Sequence, residues 1–171
     1  MPERTGIVTF KGGPLTLLGP ELKVGDAAPD FETINSSLEP VTLASSAGKA
    51  RLFSAVPSLD TPICSIQTKR FAEEVSKLPD NVEVITVSAD LPFAQNRWCT
   101  SEGVKATTLS DHRSLSFCQN YGVLIKELRL AARAIFVVDP SDKITYIQIV
   151  PEVASEPDYD KALEALKNAA G

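Results

Sequence analysis

The chain has 171 residues, of which 43% are hydrophobic and 23% are charged. This balance is typical of a globular protein and argues against disordered, collagen-like and coiled-coil classes. A chain of this length buries roughly 70% of its unfolded surface, so it needs no disulfide or metal to fold. Its 17 basic and 22 acidic residues give a net charge of −5 with no basic run, which argues against nucleic-acid and anionic-membrane binding. The longest apolar run, 134–138, is far shorter than the ~20 residues of a membrane helix.

Strand and helix patterns alternate along the chain. Alternating or continuous apolar runs predict strands at 7–10, 14–18, 31–34, 41–43, 52–56, 82–89, 107–109, 134–139 and 143–150. Amphipathic spacing predicts helices at 62–78, from an N-cap at Asp90 through Trp98, at 114–121 and from Pro157 onward. The first two strands flank Lys11-Gly12-Gly13 and therefore form an N-terminal hairpin.

The order of these elements predicts the fold class. A hairpin is followed by alternating strands and helices, and then by two strands and a helix. The alternation indicates an α/β protein with parallel central strands and helices on both faces, and the late hairpin adds antiparallel strands. This is a thioredoxin-like arrangement around a central mixed sheet. No linker or repeat divides the chain, so we expect one domain over 1–171, with 1–20 as a hairpin extension.

The chain contains three cysteines, Cys64, Cys99 and Cys118, and one histidine, His112. The first five residues show no basic segment leading into an apolar stretch, so we expect no secretory signal and a cytoplasmic protein. An odd cysteine count then argues against a structural disulfide framework and leaves core packing, metal binding or redox chemistry. The spacing lacks the close ligand pairs of structural zinc sites, and we expect His112 in a surface loop.

Cys64 lies where a buried strand gives way to a predicted helix. Thr61 is a favourable N-cap residue and Pro62 suits the first helical position, which puts Cys64 in the first turn. Unpaired backbone amides and the helix dipole stabilise anions there, including a thiolate. From position alone, a reactive thiol and a thiol that merely packs under the helix both remain open.

The residues around Cys64 resemble a known active-site signature. The pattern Pro57-x-x-x-Thr61-x-x-Cys64 resembles that of the peroxiredoxins. The longer phrase 56–64, followed by Gln67-Thr68-Lys69-Arg70-Phe71, is similar to their thiol peroxidase branch, an atypical two-cysteine group. Further similar phrases keep the same order at 19–20, 24–31, 89–95, 97–99, 121–123, 130–134 and 156–159. The resemblance covers nearly the whole chain and is therefore specific.

The resemblance implies roles for four residues at the pocket. Cys64 is the expected peroxidatic nucleophile, and the Thr61 hydroxyl is expected to hold the thiolate and one peroxide oxygen. Arg133, expected on a strand across the pocket, stabilises the thiolate and the charge that spreads over the breaking O–O bond. Pro57 is expected to shape the pocket and keep it dry. The alternative for Arg133 is an ordinary surface arginine on an edge strand.

The resemblance also implies that Cys99 is the resolving cysteine, which forms an intramolecular Cys64–Cys99 disulfide. The alternative is a buried helix residue beside Trp98. Because cysteines packed on separate helices often exceed the roughly 7 Å Cα separation that a disulfide tolerates, we expect oxidation to require local unwinding around both. Unwinding offsets the stability of the bond and leaves it reducible by a thioredoxin-type dithiol. Cys118 matches no functional position and is expected to pack in the core.

The implied protein is a thiol-dependent peroxidase that reduces hydroperoxides, alkyl ones in preference to hydrogen peroxide, with electrons from thioredoxin. The resemblance further implies a homodimer and no metal, flavin or haem. A non-catalytic redox sensor on the same scaffold and a structural thioredoxin-like module are the other classes that stay open. Ser65 and the loop 124–129 depart from the family pattern. The loop lies near the pocket in the family, so its departure bears most on substrate preference.

Overall fold

A computed structural model describes all residues, 1–171. The strands are β1 (Glu3–Phe10), β2 (Gly13–Leu18), β3 (Thr33–Ile34), β4 (Pro40–Val41), β5 (Ala50–Ala55), β6 (Val82–Ser88), β7 (Thr107–Ser110), β8 (Leu124–Ile125), β9 (Leu130–Ala131), β10 (Ala134–Val138) and β11 (Ile144–Ile149). The helices are α1 (Pro62–Val75), α2 (Pro92–Glu102), α3 (Ser116–Asn120) and α4 (Tyr159–Ala170), with one 3₁₀ turn at Leu43–Ser46. No helix has the length and apolar character needed to span a bilayer.

The larger sheet has the strand order β11-β10-β5-β6-β7-β3-β4. Strands β5, β6 and β7 are parallel, while β10, β11, β3 and β4 join antiparallel. The predicted mixed sheet with parallel central strands is therefore confirmed. A smaller sheet has the order β1-β2-β8-β9 and contains the predicted N-terminal hairpin. The two-residue strands β8 and β9 were not predicted, because they are defined only by their pairing with each other and with β2.

The larger sheet carries apolar layers on both faces. Successive residues of β5 point to opposite faces. Leu52 packs with Phe71 of α1 and Leu163 of α4, whereas Phe53 packs with Phe31 and with Phe117 of α3. The smaller sheet also contributes to the second layer. The unit β5-α1-β6, followed by β10 and β11 of the same mixed sheet and then by α4, is the predicted thioredoxin-like arrangement.

Two neighbouring parallel strands bring two loops together. Strand β5 ends at Ala55, opposite Val87 of β6, and each strand is followed by a loop and a helix. The loop 56–61 leads into α1, and the loop 89–91 leads into α2. Because the carboxyl ends of parallel strands meet at one sheet edge, the loops lie side by side where open α/β sheets place their ligand sites.

The second of these helices differs from its prediction. Its N-cap position is occupied by Leu91, and the helix runs past Trp98 to Glu102. Asp90 was wrongly predicted as the cap, because its carboxylate instead accepts hydrogen bonds from Ser58 and Leu59 of the neighbouring loop. Cys99 therefore lies inside a regular helix.

Candidate active site

Cys64 is the third residue of α1 and has no exposed surface. Its side chain belongs to a small apolar cluster with Val56, Leu59 and Trp98. The Thr68 hydroxyl donates a 2.8 Å hydrogen bond to the Cys64 carbonyl oxygen, which ties this turn to the next one. The thiol thus occupies the first helical turn, where unpaired amides favour negative charge.

Thr61 holds the N-cap position of α1, with φ −102° and ψ 149°. Its side chain does not cap the helix in the predicted way. The hydroxyl oxygen instead donates a 2.9 Å hydrogen bond to the Ser58 carbonyl oxygen. Since Thr61 is exposed and its proton is engaged by Ser58, the oxygen lone pairs stay free for another donor.

Arg133 is only 2% exposed, so the surface alternative is wrong. It lies in the bend just before β10 and not on a strand. Its Nε donates to the Val153 carbonyl oxygen at 2.9 Å, and its Nη1 donates to Gln67 Oε1 at 2.9 Å. Gln67 is itself fully buried and donates from Nε2 to Ser54 Oγ at 2.7 Å. These contacts fix the guanidinium plane in one orientation.

The charge of Arg133 has no ionic partner. The carboxylates that form ion pairs bind other cations. Both partners of the Arg133 guanidinium, a backbone carbonyl and an amide side chain, are neutral oxygens. Burying a cation is costly unless it is both hydrogen-bonded and paired with a negative charge. An immobilised, unneutralised guanidinium is therefore suited to stabilise an anion or an anionic transition state.

Arg133, Thr61 and Pro57 line one cavity of about 330 Å³. Its remaining lining residues come from the hairpin tip, the start of α1 and the segment after β11, and they are Phe10, Lys11, Pro62, Ile63, Val153 and Ala154. Cys64 follows Ile63 directly, one residue further into the helix. The structure therefore brings Thr61, Pro57 and Arg133 together beside the first turn that contains Cys64.

Glu152 attaches the hairpin to the opposite wall of this cavity. One carboxylate oxygen accepts hydrogen bonds from the Gly12 amide at 2.9 Å and from the Thr9 hydroxyl at 3.1 Å. The other accepts from the Ala154 amide at 2.7 Å. These backbone donors lower the pKa of the Glu152 carboxyl to about 2. The cavity is thus closed on one side by an element that sequence reasoning had treated only as an extension.

Cys99 is half-buried and packs at the edge of the cluster that holds Cys64. Burial raises the pKa of the Cys99 thiol, and a hydrogen bond from the Ala106 backbone lowers it less. Both cysteines are free thiols in this structure. Both cysteines therefore contact the same apolar cluster, each from its own helix.

Cys118 lies elsewhere, fully buried in the larger core cluster. Burial raises the pKa of this thiol well above its usual range, and the neighbouring Asp111 carboxylate adds to the rise. Asp111 accepts hydrogen bonds from the Phe117 and Cys118 amides at 3.1 and 2.9 Å. The core position predicted for Cys118 is confirmed.

Sequence reasoning missed the support of Arg133. Gln67 belongs to the phrase that carries the family resemblance, yet it was given no role. Its position three residues after Cys64 puts both on one face of α1, and that spacing was the available signal. Nothing in the sequence indicated that the hairpin residues Phe10 and Lys11 reach the same cavity.

The fold and the site are those of the peroxiredoxin class, with a cysteine in the first turn of a helix that borders a cavity lined by a fixed arginine. Residues 23–163 match the family model described as Redoxin, and the chain belongs to this family. It is 58% identical to the thiol peroxidase of Halalkalibacterium halodurans over 95% of this chain and 98% of that protein. It is 54% identical to the thiol peroxidase of Bacillus subtilis over 94% and 96% of the two chains.

A solved structure agrees with these sequence relatives. The crystal structure of a peroxiredoxin-like protein from Aquifex aeolicus superposes with a TM-score of 0.89 at 41% identity and covers 97% of both chains. The resemblance to the thiol peroxidase branch of the peroxiredoxins is therefore confirmed over nearly the whole chain.

Proposed function

We propose that Cys64 is the peroxidatic nucleophile of this thiol-dependent peroxidase, with Thr61, Arg133 and Pro57 forming its substrate pocket. The observation that carries the proposal is the buried guanidinium of Arg133, which has hydrogen-bond partners but no counter-ion. A nucleophile that works as an anion, and a reaction that releases a second anion, both need such a fixed cation.

The peroxide step follows from these groups. The Cys64 thiolate attacks the terminal oxygen of ROOH, the O–O bond breaks, and the OH group stays on sulfur. The departing RO⁻ takes up a proton from water and leaves as alcohol. Sulfur is oxidised to Cys64–SOH, while the peroxide is reduced. Arg133 stabilises the charge on the departing oxygen. The free lone pairs of the Thr61 hydroxyl oxygen accept a hydrogen bond from the peroxide O–H group, and the buried Pro57 excludes water from the cavity.

We assign Cys99 as the resolving cysteine. Its thiol attacks the sulfur of Cys64–SOH, water leaves, and the Cys64–Cys99 disulfide forms. A thioredoxin-type dithiol then reduces this bond and is itself oxidised to a disulfide. Both cysteines lie within helices that contact one cluster. Since cysteines on separate packed helices often exceed the roughly 7 Å Cα separation that a disulfide tolerates, we expect turns of α1 and α2 to unwind on oxidation.

The cavity wall supports a preference for alkyl hydroperoxides over hydrogen peroxide. Phe10, Ile63 and Val153 present apolar side chains there, and burial of an alkyl group contributes about 25 cal/mol per Å². A hydrogen peroxide molecule gains nothing from these contacts. The expected difference therefore lies in the apparent KM, which is measured with hydroperoxides of increasing alkyl length.

We further propose that 1–171 acts as one domain and assembles as a homodimer in a reducing, cytoplasmic compartment. Leu91 and Phe93 are 50% and 67% exposed at the start of α2, and a second copy covers them in this proposal. The reducing compartment follows from the disulfide cycle, which stops without a dithiol donor. Size-exclusion chromatography with light scattering measures the oligomeric state.

Turnover with excess peroxide tests the proposed function. We expect the wild type, with thioredoxin, thioredoxin reductase and NADPH, to consume many equivalents of hydroperoxide per chain. We expect Cys99→Ser to consume the first equivalent at a normal rate and then to lose thioredoxin-linked turnover. A wild-type protein that stops after one equivalent identifies a redox sensor instead, and a wild type that consumes none contradicts the proposal.

A further inference from the structure

The carboxylate of Asp90 joins the loop before Cys64 to the end of β6. Asp90 Oδ1 accepts from the Ser58 hydroxyl at 2.7 Å. Asp90 Oδ2 accepts from the Leu59 backbone amide at 2.9 Å and from the Ser88 hydroxyl at 2.7 Å. We call these four residues, Ser58, Leu59, Ser88 and Asp90, the Asp90 clasp. Hydrogen bonds to an ionised group are the strong ones in proteins, so this contact holds the loop firmly.

The clasp reaches the reacting groups through its two loop residues. The Ser58 carbonyl oxygen accepts the hydrogen bond that orients the Thr61 hydroxyl, at 2.9 Å. Leu59 packs directly in the cluster that contains Cys64. Asp90 therefore fixes the loop on which the position of Thr61 and one side of the Cys64 pocket depend.

The clasp is also connected to the helix of Cys99. Gln95 of α2 donates from Nε2 to Ser88 Oγ and to the Leu109 carbonyl oxygen, both at 2.9 Å. On the surface, Arg97 of α2 forms a 3.2 Å ion pair with Asp60 of the same loop. The α2 helix is thus joined to Asp90 through Ser88 and to the loop before Cys64 through Asp60.

We propose that Asp90 is a positioning residue that favours the peroxide step and delays disulfide formation. This inference rests on the proposed roles of Cys64 and Cys99. With the clasp closed, Thr61 is oriented for the peroxide and the first turn of α1 stays folded. For the two sulfurs to bond, that turn must leave its helical position, and the loop that leads into it must release Asp90.

The clasp therefore controls how the sulfenic acid is consumed. In the productive reaction, Cys64–SOH and the Cys99 thiol give the disulfide and water. In the competing reaction, a second ROOH transfers an oxygen to Cys64–SOH, which gives the sulfinic acid Cys64–SO₂H and ROH. A closed clasp keeps the sulfenic acid away from Cys99 and exposes it to the second peroxide for longer.

Asp90→Ala and Ser58→Ala test this proposal, with Asp80→Ala as the matched control because Asp80 is exposed and its side chain forms no hydrogen bond or ion pair. Stopped-flow kinetics measure the peroxide and disulfide steps, and mass spectrometry measures the sulfinic acid formed per turnover. For Asp90→Ala we expect a peroxide step about tenfold slower, together with a disulfide step about tenfold faster, from the loss of charge-assisted hydrogen bonds. The sulfinic fraction falls accordingly. Ser58→Ala should also slow the peroxide step and speed the disulfide step, each by a smaller factor than Asp90→Ala. Asp80→Ala should change neither rate.

The opposite signs of the two changes separate positioning from a merely structural role, which slows both steps together. If Asp90→Ala does not fold, Ser58→Ala removes only one hydroxyl and decides the question. The inference is overturned if folded Asp90→Ala or Ser58→Ala forms the disulfide at the wild-type rate and gives the wild-type fraction of sulfinic acid. In that case the proposed function still holds, provided that the wild-type protein turns over. A wild type that forms no Cys64–Cys99 disulfide overturns both.

Discussion

Cys64 and Cys118 occupy similar local positions in two regions of the molecule. Each is the third residue of a helix, and neither has any exposed surface. Cys64 lies in the first turn of a helix of 14 residues, beside the cavity that Arg133 lines, whereas Cys118 lies in a helix of five residues inside the larger core cluster. Position in a helix is therefore not what distinguishes the two thiols.

The difference lies in the charge that each region provides. Cys118 faces the buried Asp111 carboxylate, which opposes formation of a second negative charge and raises the thiol pKa further. The region of Cys64 contains the unpaired guanidinium of Arg133, held by Gln67 of the same helix. A first-turn cysteine is thus suited to nucleophilic chemistry only where the surrounding fold supplies a cation and an entry cavity.

The largest expected effect separates the two cysteines. Cys64→Ser replaces the thiolate by a hydroxyl that stays protonated near neutral pH, so we expect peroxidase activity to fall by at least about 10³-fold. Cys118→Ser retains a donor for Asp111 and should keep near-normal rates. The coupled thioredoxin assay measures both variants. A fully active Cys64→Ser protein contradicts the assignment of the nucleophile.

Substitution of Arg133 tests whether a nearby cation is what distinguishes the region of Cys64 from that of Cys118. Arg133→Lys keeps a positive charge but loses the planar group that bonds Val153 and Gln67 together. We expect kcat/KM for hydroperoxide to fall about 10²-fold, the usual effect of removing one fixed transition-state donor. Circular dichroism should show an intact fold. Unchanged kcat/KM means that the cation at this position takes no part in the reaction.

Local sequence patterns predicted some elements of the fold, but they could not predict side-chain contacts between distant residues. The hairpin, the strand–helix unit around Cys64 and the late antiparallel strands follow local patterns, and all three were predicted. Asp90 was misassigned because cap rules consider neighbouring residues, whereas Ser58 lies 32 positions away. The burial of Arg133 and its support by Gln67 depend on contacts 66 positions apart. Only the family resemblance indicated that Arg133 belongs to the site.

Cys118→Ala tests whether Cys118 contributes only to packing. The substitution leaves a small cavity in a fully buried position, so we expect the free energy of unfolding to fall by about 1 kcal/mol. Hydroperoxide turnover per folded molecule should remain that of the wild type. Chemical denaturation measures the first quantity, and the coupled assay measures the second. A loss of turnover without a loss of stability indicates a function for this thiol.

The smallest expected effect concerns the hairpin that closes the cavity. Hydrogen bonds in the folded protein lower the pKa of Glu152 to about 2 from its usual 4.5. The stabilisation that the ionised Glu152 carboxylate gives to the hairpin contact is therefore fully present above the usual pKa, and it is lost as pH falls through about 2. We expect the Gly12 and Ala154 amides to lose protection against hydrogen exchange in this range, before the core around Cys118 does. Glu152→Gln should remove this pH dependence, and equal protection at pH 6 and pH 2 in the wild type contradicts the role of Glu152.

Thiol mapping after oxidation directly tests the assignment of Cys64 and Cys99 as the redox pair and of Cys118 as a core residue. The reduced protein is treated with one equivalent of an alkyl hydroperoxide, remaining thiols are alkylated under denaturing conditions, and the peptides are identified by mass spectrometry. We expect a Cys64–Cys99 disulfide and an alkylated, unoxidised Cys118. A disulfide that includes Cys118, or three alkylated cysteines after the peroxide has been consumed, contradicts it.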